Sequence, residues 1–146
     1  MFERMRGTWT KAIEPLVLKL GNLDPSILTW ASLILALGAF WLISGAGLNS
    51  NGAMMIGGSV LLILLAGVLD ALDGALARQQ GIAGPYGDFL DHTIDRVVDV
   101  GLLIAIGMNA AFVSDPSSGA VAAVLTLFGS YMGTQAQSVG LDRIYG

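Results

Sequence analysis

Asp70 and Asp73 stand three residues apart and Asp91 and Asp95 four apart, within the stretch DALDGALARQQGIAGPYGDFLDHTIDR that runs from 70 to 96. On helices, those spacings put each pair on a single face. Carboxylates gathered this way suit a hard divalent cation, Mg²⁺ or Mn²⁺, which typically keeps coordination positions for water and substrate phosphates. The chain has no cysteine and one histidine, which excludes disulfides, thiolate sites and cysteine nucleophiles and disfavours zinc. His92 lies about 100° around a helix from Asp91 and reads as a packing or polar residue instead of a ligand.

The surroundings make these carboxylates costly. The chain of 146 residues is 54% hydrophobic and 12% charged, with a mean hydropathy of +0.71, yet six of its eleven acids fall between Asp70 and Asp99. A carboxylate near the centre of a bilayer costs about 2.5 to 3.5 kcal/mol even on lenient scales. A solvated charged face therefore explains the cluster poorly, and a bound cation explains it well.

The elements that must position the aspartates read as membrane helices. Apolar runs cover approximately 27–44, 53–78, 87–113 and 119–138, joined by the turn-like GAGLNSNG, QQGIAGPY and SDPSS. At roughly 20 residues per crossing this is room for four spans and no separate soluble domain. Ahead of them, residues 1–20 place Phe2, Met5, Trp9, Ile13, Leu16, Val17 and Leu20 at helical spacing among Arg4, Arg6, Lys11 and Lys19. That pattern predicts an amphipathic helix lying on the membrane, bent at Pro15. Lys11, Glu14 and Lys19 interrupt any signal-peptide core, so no cleavage is expected. The expected fold is all-α: an interfacial helix over 1–20 and a polytopic helical bundle over 21–146.

Basic residues set the orientation. The loops around GAGLNSNG and SDPSS contain no Lys or Arg, whereas Arg4, Arg6, Lys11, Lys19, Arg78 and Arg143 gather on the other side, with Arg96 in the nearer half of the third span. The N-terminus, the Arg78 loop and the C-terminus are thereby expected to face the cytoplasm. Asp70 precedes Arg78 by eight residues and Asp95 follows Gly87 by eight, so both lie about 12 Å into antiparallel helices. Residue counting thus pairs Asp70 with Asp95, and Asp73 with Asp91 at a shallower level. Asp88 reads as an N-terminal helix cap and Asp99 as an outer neighbour of the site.

The full string is Asp70, two residues, Asp73-Gly74, two residues, Ala77-Arg78, eight residues, Gly87, three residues, Asp91, three residues, Asp95. It resembles, position for position, the motif of the CDP-alcohol phosphatidyltransferase family. The resemblance implies a membrane enzyme that moves a lipid phosphate group from a CDP-linked lipid, with diacylglycerol or archaeol tails, to a small alcohol, releasing CMP. It implies Asp70, Asp73, Asp91 and Asp95 as ligands to one or two divalent ions, with Asp95 also the general base. Gly74, Ala77, Arg78 and Gly87 would shape the CDP site. The segment DPSILTW resembles a family element that lines the nucleotide pocket: Pro25 and Thr29 match, and Ser26 replaces the usual Asn. Asp95-Arg96 resembles the inositol-phosphate branch, for whose anionic acceptor Arg96 and Arg143 are the available cations; pairing of Arg96 with Asp99 or Asp88 is the plainer alternative.

The family implies six spans, so four of six are expected here and the chain reads as lacking the last two. It also implies a homodimer in the cell membrane, for which Gly129 and Gly133 offer a GxxxG on the fourth span. No nucleic-acid partner is expected. Two other classes place carboxylates in membranes. A UbiA-like prenyltransferase spreads its Asp motifs over separated helix pairs, and a cation or proton transporter continues its polar path across the bilayer; neither pattern is found in this sequence.

Overall fold

The computed structural model describes residues 15–141. The expected interfacial helix falls largely outside the described residues, as do Arg4, Arg6, Lys11 and Arg143; residues 15–20 are helical. Four long helices follow: α1 (Pro25–Gly45), α2 (Ser50–Gln80), α3 (Pro85–Gly107) and α4 (Ser117–Ser138). Three match the apolar runs to within three residues at each end. The third run was expected to continue to 113, but α3 ends at Gly107 because Asn109 draws the chain into a hydrogen-bonded turn.

Local chemistry fixes the ends. Asp24 caps α1 by accepting the Ser26 N–H at 2.9 Å, with Pro25 in the first helical position, where its missing N–H costs nothing. Asn49 caps α2 by accepting from the Gly52 N–H at 2.8 Å. At the other end of α2, Gly81 takes φ 69°, a left-handed conformation that favours glycine. The Gly81 N–H then bonds back to Arg78 O and the Ile82 N–H to Ala77 O, which closes the helix with a Schellman turn. Only residues 81–84 separate α2 from Pro85, so the two halves of the aspartate motif lie on consecutive, reversed helices.

The helices pack through small residues and turn their large ones outward. The buried face of α1 includes Ser32, Ala36 and Ala39, whereas Ile27, Trp30, Ile34, Leu37 and Trp41 are exposed. On α2, Ser59 and Ala66 are buried, and Met54, Val60, Leu61, Leu64 and Leu65 are exposed. A water-soluble fold would invert that arrangement, whereas close approach of small residues with apolar side chains outside is how helices associate in lipid. Both α1 and α2 are long and apolar enough to cross a membrane. Where α3 crosses α4, a Cβ on Gly107 would come within 2.7 Å of Gly119 Cα, so the crossing demands glycine. Gly101 is packed likewise, since a Cβ there would come within 2.3 Å of the Phe40 ring on α1, whereas a Cβ on Gly129 or Gly133 meets nothing.

The backbones of α1 and α2, α1 and α3, and α3 and α4 pack together, whereas α2 and α3 make little backbone contact with each other among the described residues. α1 thus supports both aspartate helices. Val17, Leu28, Leu72 and Leu76 form an apolar cluster under the loop end of this arrangement.

Candidate active site

The motif residues of α2 and α3 meet where the two helices leave their loop. Ligand-type atoms of Asp70, Asp73 and Asp91 lie within 4.8 Å of one another, as do those of Asp91, His92 and Asp95. The four aspartates converge, and Asp73 and Asp91, paired by residue counting, stand together across the two helices in the first of these groups. Asp91 is shared by both groups. His92, although offset from Asp91 around the helix, brings a ring nitrogen within 4.8 Å of carboxylate oxygens of Asp91 and Asp95.

Asp73 is buried and receives a hydrogen bond at 2.5 Å from the hydroxyl of Thr29, which is buried too. Thr29 was expected to line the nucleotide pocket; its hydroxyl proton is directed at a carboxylate. One turn above Ala77, the side-chain amide of Gln80 donates to Gly21 O at 2.9 Å and Leu23 O at 2.8 Å. This clamps the approach to α1 onto the end of α2. Neither link is visible in the sequence, although an amide directly before the helix-stopping Gly81 is the kind of residue that seeks backbone partners.

Two concavities flank the carboxylates. A cavity of about 360 Å³ opens between the start of α1, the end of α2 and the 81–84 loop. Its lining includes Ser26, Thr29, Asp73, Gly74, Ala77, Arg78, Gly87 and Asp91, so every residue expected in the CDP site is brought to one cavity. A Cβ on Gly74 would lie 3.3 Å from Arg78 Nη1, so glycine lets the guanidinium fold back against its own helix. A Cβ on Gly87 meets no protein atom, leaving that part of the cavity open. Asp88 lines the same cavity and does not cap α3: Gly84 occupies the cap position, and Asp88 sits in the first turn, where its charge favours the positive end of the helix dipole.

The second concavity is a wide groove of about 780 Å³ between α3 and α4. Asp95, His92 and Arg96 line its α3 side, and Ser130, Gly133, Thr134 and Gln137 line its α4 side. Arg96 is paired with Asp99 at 3.0 Å, one helical turn on.

That ion pair is the only one among the described residues, so none of Asp70, Asp73, Asp91 and Asp95 is ion-paired with a Lys or Arg. Four carboxylates drawn together are stabilised by bound cations, and an all-oxygen set fits a hard divalent ion such as Mg²⁺ or Mn²⁺.

Comparison with known proteins agrees with this geometry. The profile of the family described as CDP-alcohol phosphatidyltransferase matches residues 22–137. An uncharacterized protein of Aquifex aeolicus is 33% identical, over 98% of this chain and 71% of its own length. The archaetidylinositol phosphate synthase of Aeropyrum pernix is 34% identical, over 97% of this chain and 69% of its own. The phosphatidylinositol phosphate synthase of Cutibacterium acnes is 28% identical, over the whole of this chain and 70% of its own. No solved structure matches the chain.

Proposed function

The chain belongs to the CDP-alcohol phosphatidyltransferase family, and from that premise we propose that it transfers the lipid phosphate group of a CDP-linked lipid to inositol phosphate in phospholipid biosynthesis. The observation that carries the proposal is the ridge of four carboxylates lying between two concavities, with Asp73 and Asp91 on one and Asp95 on the other. The smaller cavity, with Arg78 at its edge, suits a diphosphate; the larger groove suits the acceptor. Inositol phosphate is supported by the names of the relatives and by the groove itself. Ser130, Thr134 and Gln137 can hydrogen-bond a polyol, and Arg96 is the cation on hand for its phosphate.

In the reaction the acceptor oxygen forms a bond to the lipid-side phosphorus, the bond from that phosphorus to the oxygen of CMP breaks, and CMP leaves. Asp95 is placed to take the hydroxyl proton, since it lines the groove that would hold the acceptor. Asp70, Asp73, Asp91 and Asp95 would hold the metal. A divalent ion bound there supplies charge stabilisation to the diphosphate as CMP departs. Arg78 holds the diphosphate from the far side of Gly74. The family match displaces the prenyltransferase and transporter alternatives.

We also read α3 and α4 as spans, giving four, with the active site facing the cytoplasm. Lys19 and Arg78 lie at the aspartate end, while the loops 46–49 and 108–116 carry no basic residue. The open small-residue face around Gly129 and Gly133 supports packing against a second copy of the chain.

The test is CMP release from a CDP-lipid by the purified protein, with and without Mg²⁺, against inositol phosphate, glycerol phosphate, serine and free inositol. Metal-dependent release with inositol phosphate alone is the expected result. Release with another acceptor would keep the family chemistry and overturn the acceptor, and no binding of CDP-lipid would overturn the site.

A further inference from the structure

We propose that Thr29 is a positioning residue for the metal centre and not a nucleotide contact, and that Gln80 holds it in register; this rests on reading Asp73 as a metal ligand. Both Thr29 and Asp73 are 5% exposed, so the carboxylate meets little water and gains from a donor in the protein. Thr29 Oγ1 is that donor, at 2.5 Å from Asp73 Oδ2. A hydroxyl has a single proton to give. Its other acceptor within range, Pro25 O, is 3.4 Å away, the weaker of the two by distance and by charge. With the proton committed to Asp73, Thr29 has none to donate to a nucleotide, and at 5% exposure its lone pairs offer a nucleotide little to reach. Its effect is to hold one oxygen of Asp73 and so fix the angle at which that carboxylate faces Asp70 and Asp91.

The contact spans 44 residues of sequence and joins two helices, so it depends on how α1 is seated. Asp24 fixes the first turn of α1, and both Gln80 amide hydrogens are used on Gly21 O and Leu23 O, immediately before that turn. Gln80 lies two turns beyond Asp73 on the same helix. α2 therefore supplies both the carboxylate and the clamp that brings the hydroxyl to it.

The experiment is titration of the purified full chain with Mn²⁺ alone, following free Mn²⁺ by electron paramagnetic resonance, followed by CMP binding at saturating Mn²⁺. Asp73→Asn serves as the reference. Loss of an outer partner of a metal ligand weakens metal binding by about 10–100-fold. Thr29→Val, which keeps the shape and removes the hydroxyl, is expected to lose Mn²⁺ affinity by that factor, and Thr29→Ser to restore it. Gln80→Leu should lose less, in the same direction. CMP affinity at saturating Mn²⁺ should not change in Thr29→Val. The inference is overturned if Asp73→Asn loses Mn²⁺ while Thr29→Val does not, if Thr29→Ser is as weak as Thr29→Val, or if Thr29→Val loses CMP at saturating Mn²⁺. If Asp73→Asn itself binds Mn²⁺ like the wild type, the ligand assignment falls and this inference with it.

Discussion

The two ends of the helix bundle both place polar groups among apolar neighbours, and they do so in opposite ways. At the end away from the aspartates, Asn109 is 1% exposed and fully satisfied by its own chain. Its amide donates to Ile43 O at 2.5 Å and Ala46 O at 2.9 Å, and its carbonyl accepts the Ala111 N–H at 2.9 Å. One side chain thereby closes the last turn of α1 and the turn that follows α3. At the other end, four carboxylates of the same chain gather with no Lys or Arg ion-paired to any of them among the described residues. A buried polar group whose partners are all internal rigidifies a fold, whereas a cluster of like charges leaves a demand that a ligand must meet. The comparison separates architecture from chemistry without reference to any relative.

The sharpest way to break it is to remove charge at one end and hydrogen bonds at the other. Asp95→Asn should lower turnover by about 10²–10⁴-fold, the usual contribution of a general base, while CDP-lipid binding survives. Asp70→Asn should weaken both, because Asp70 belongs to the group shared with Asp73 and Asp91. Equal loss of binding in the two variants would refute Asp95 as the base.

Asn109→Leu should do the reverse. It orphans the Ala46 carbonyl and the Ala111 N–H, each costing about 1–3 kcal/mol if no water replaces the amide, and leaves Ile43 O with the Ala46 N–H alone. Thermal unfolding in detergent should show a midpoint several degrees lower, with turnover per folded molecule unchanged. A fall in turnover at constant stability would mean that the two ends are coupled.

A smaller effect tests the same independence. An ion that binds the folded site stabilises the fold by about 2.7 kcal/mol at a hundredfold excess over its Kd. Mg²⁺ should therefore raise the unfolding midpoint of the wild type and of Asn109→Leu by similar amounts, since distant sites add. The rise should vanish in Asp73→Asn; persistence there would place the ion elsewhere.

The contrast between the ends also explains what could be read from the sequence. The spacing of Asp70, Asp73, Asp91 and Asp95 is a local property of helices, so their shared faces and their convergence near one loop were legible. The identity of the neighbours was not. How α2 and α3 are seated depends on α1, which packs against both of them. The reach of His92, the partner of Thr29 and the clamp of Gln80 depend on the same placement. Asn109 gave a signal that residue counting passed over: a lone amide just beyond Gly107, inside what looked like an unbroken apolar run. The Gly129 and Gly133 spacing was visible, but a spacing does not say which helix will approach it, and the close helix contacts fall at Gly101, Gly107 and Gly119.

The weakest predicted effect lies in the 108–116 loop, at the same end as Asn109. Asp115 accepts hydrogen bonds from the Ser117 hydroxyl at 2.7 Å and the Ser117 N–H at 2.9 Å, at the entrance to α4. Those two donors hold its carboxyl below the ordinary carboxylate range. A carboxyl whose folded pKa is depressed contributes stability that is present above its unfolded value, about 3.9, and is lost as pH falls through the folded value. Full exposure to water keeps the contribution small. Asp115→Ala should therefore unfold slightly below the wild type at neutral pH, and the gap should close as the pH is lowered past 4. Comparing the two proteins at each pH cancels the larger acid response of the aspartate cluster, which both retain. A gap independent of pH would show that Asp115 acts through loop geometry alone and that its charge contributes nothing to the start of α4.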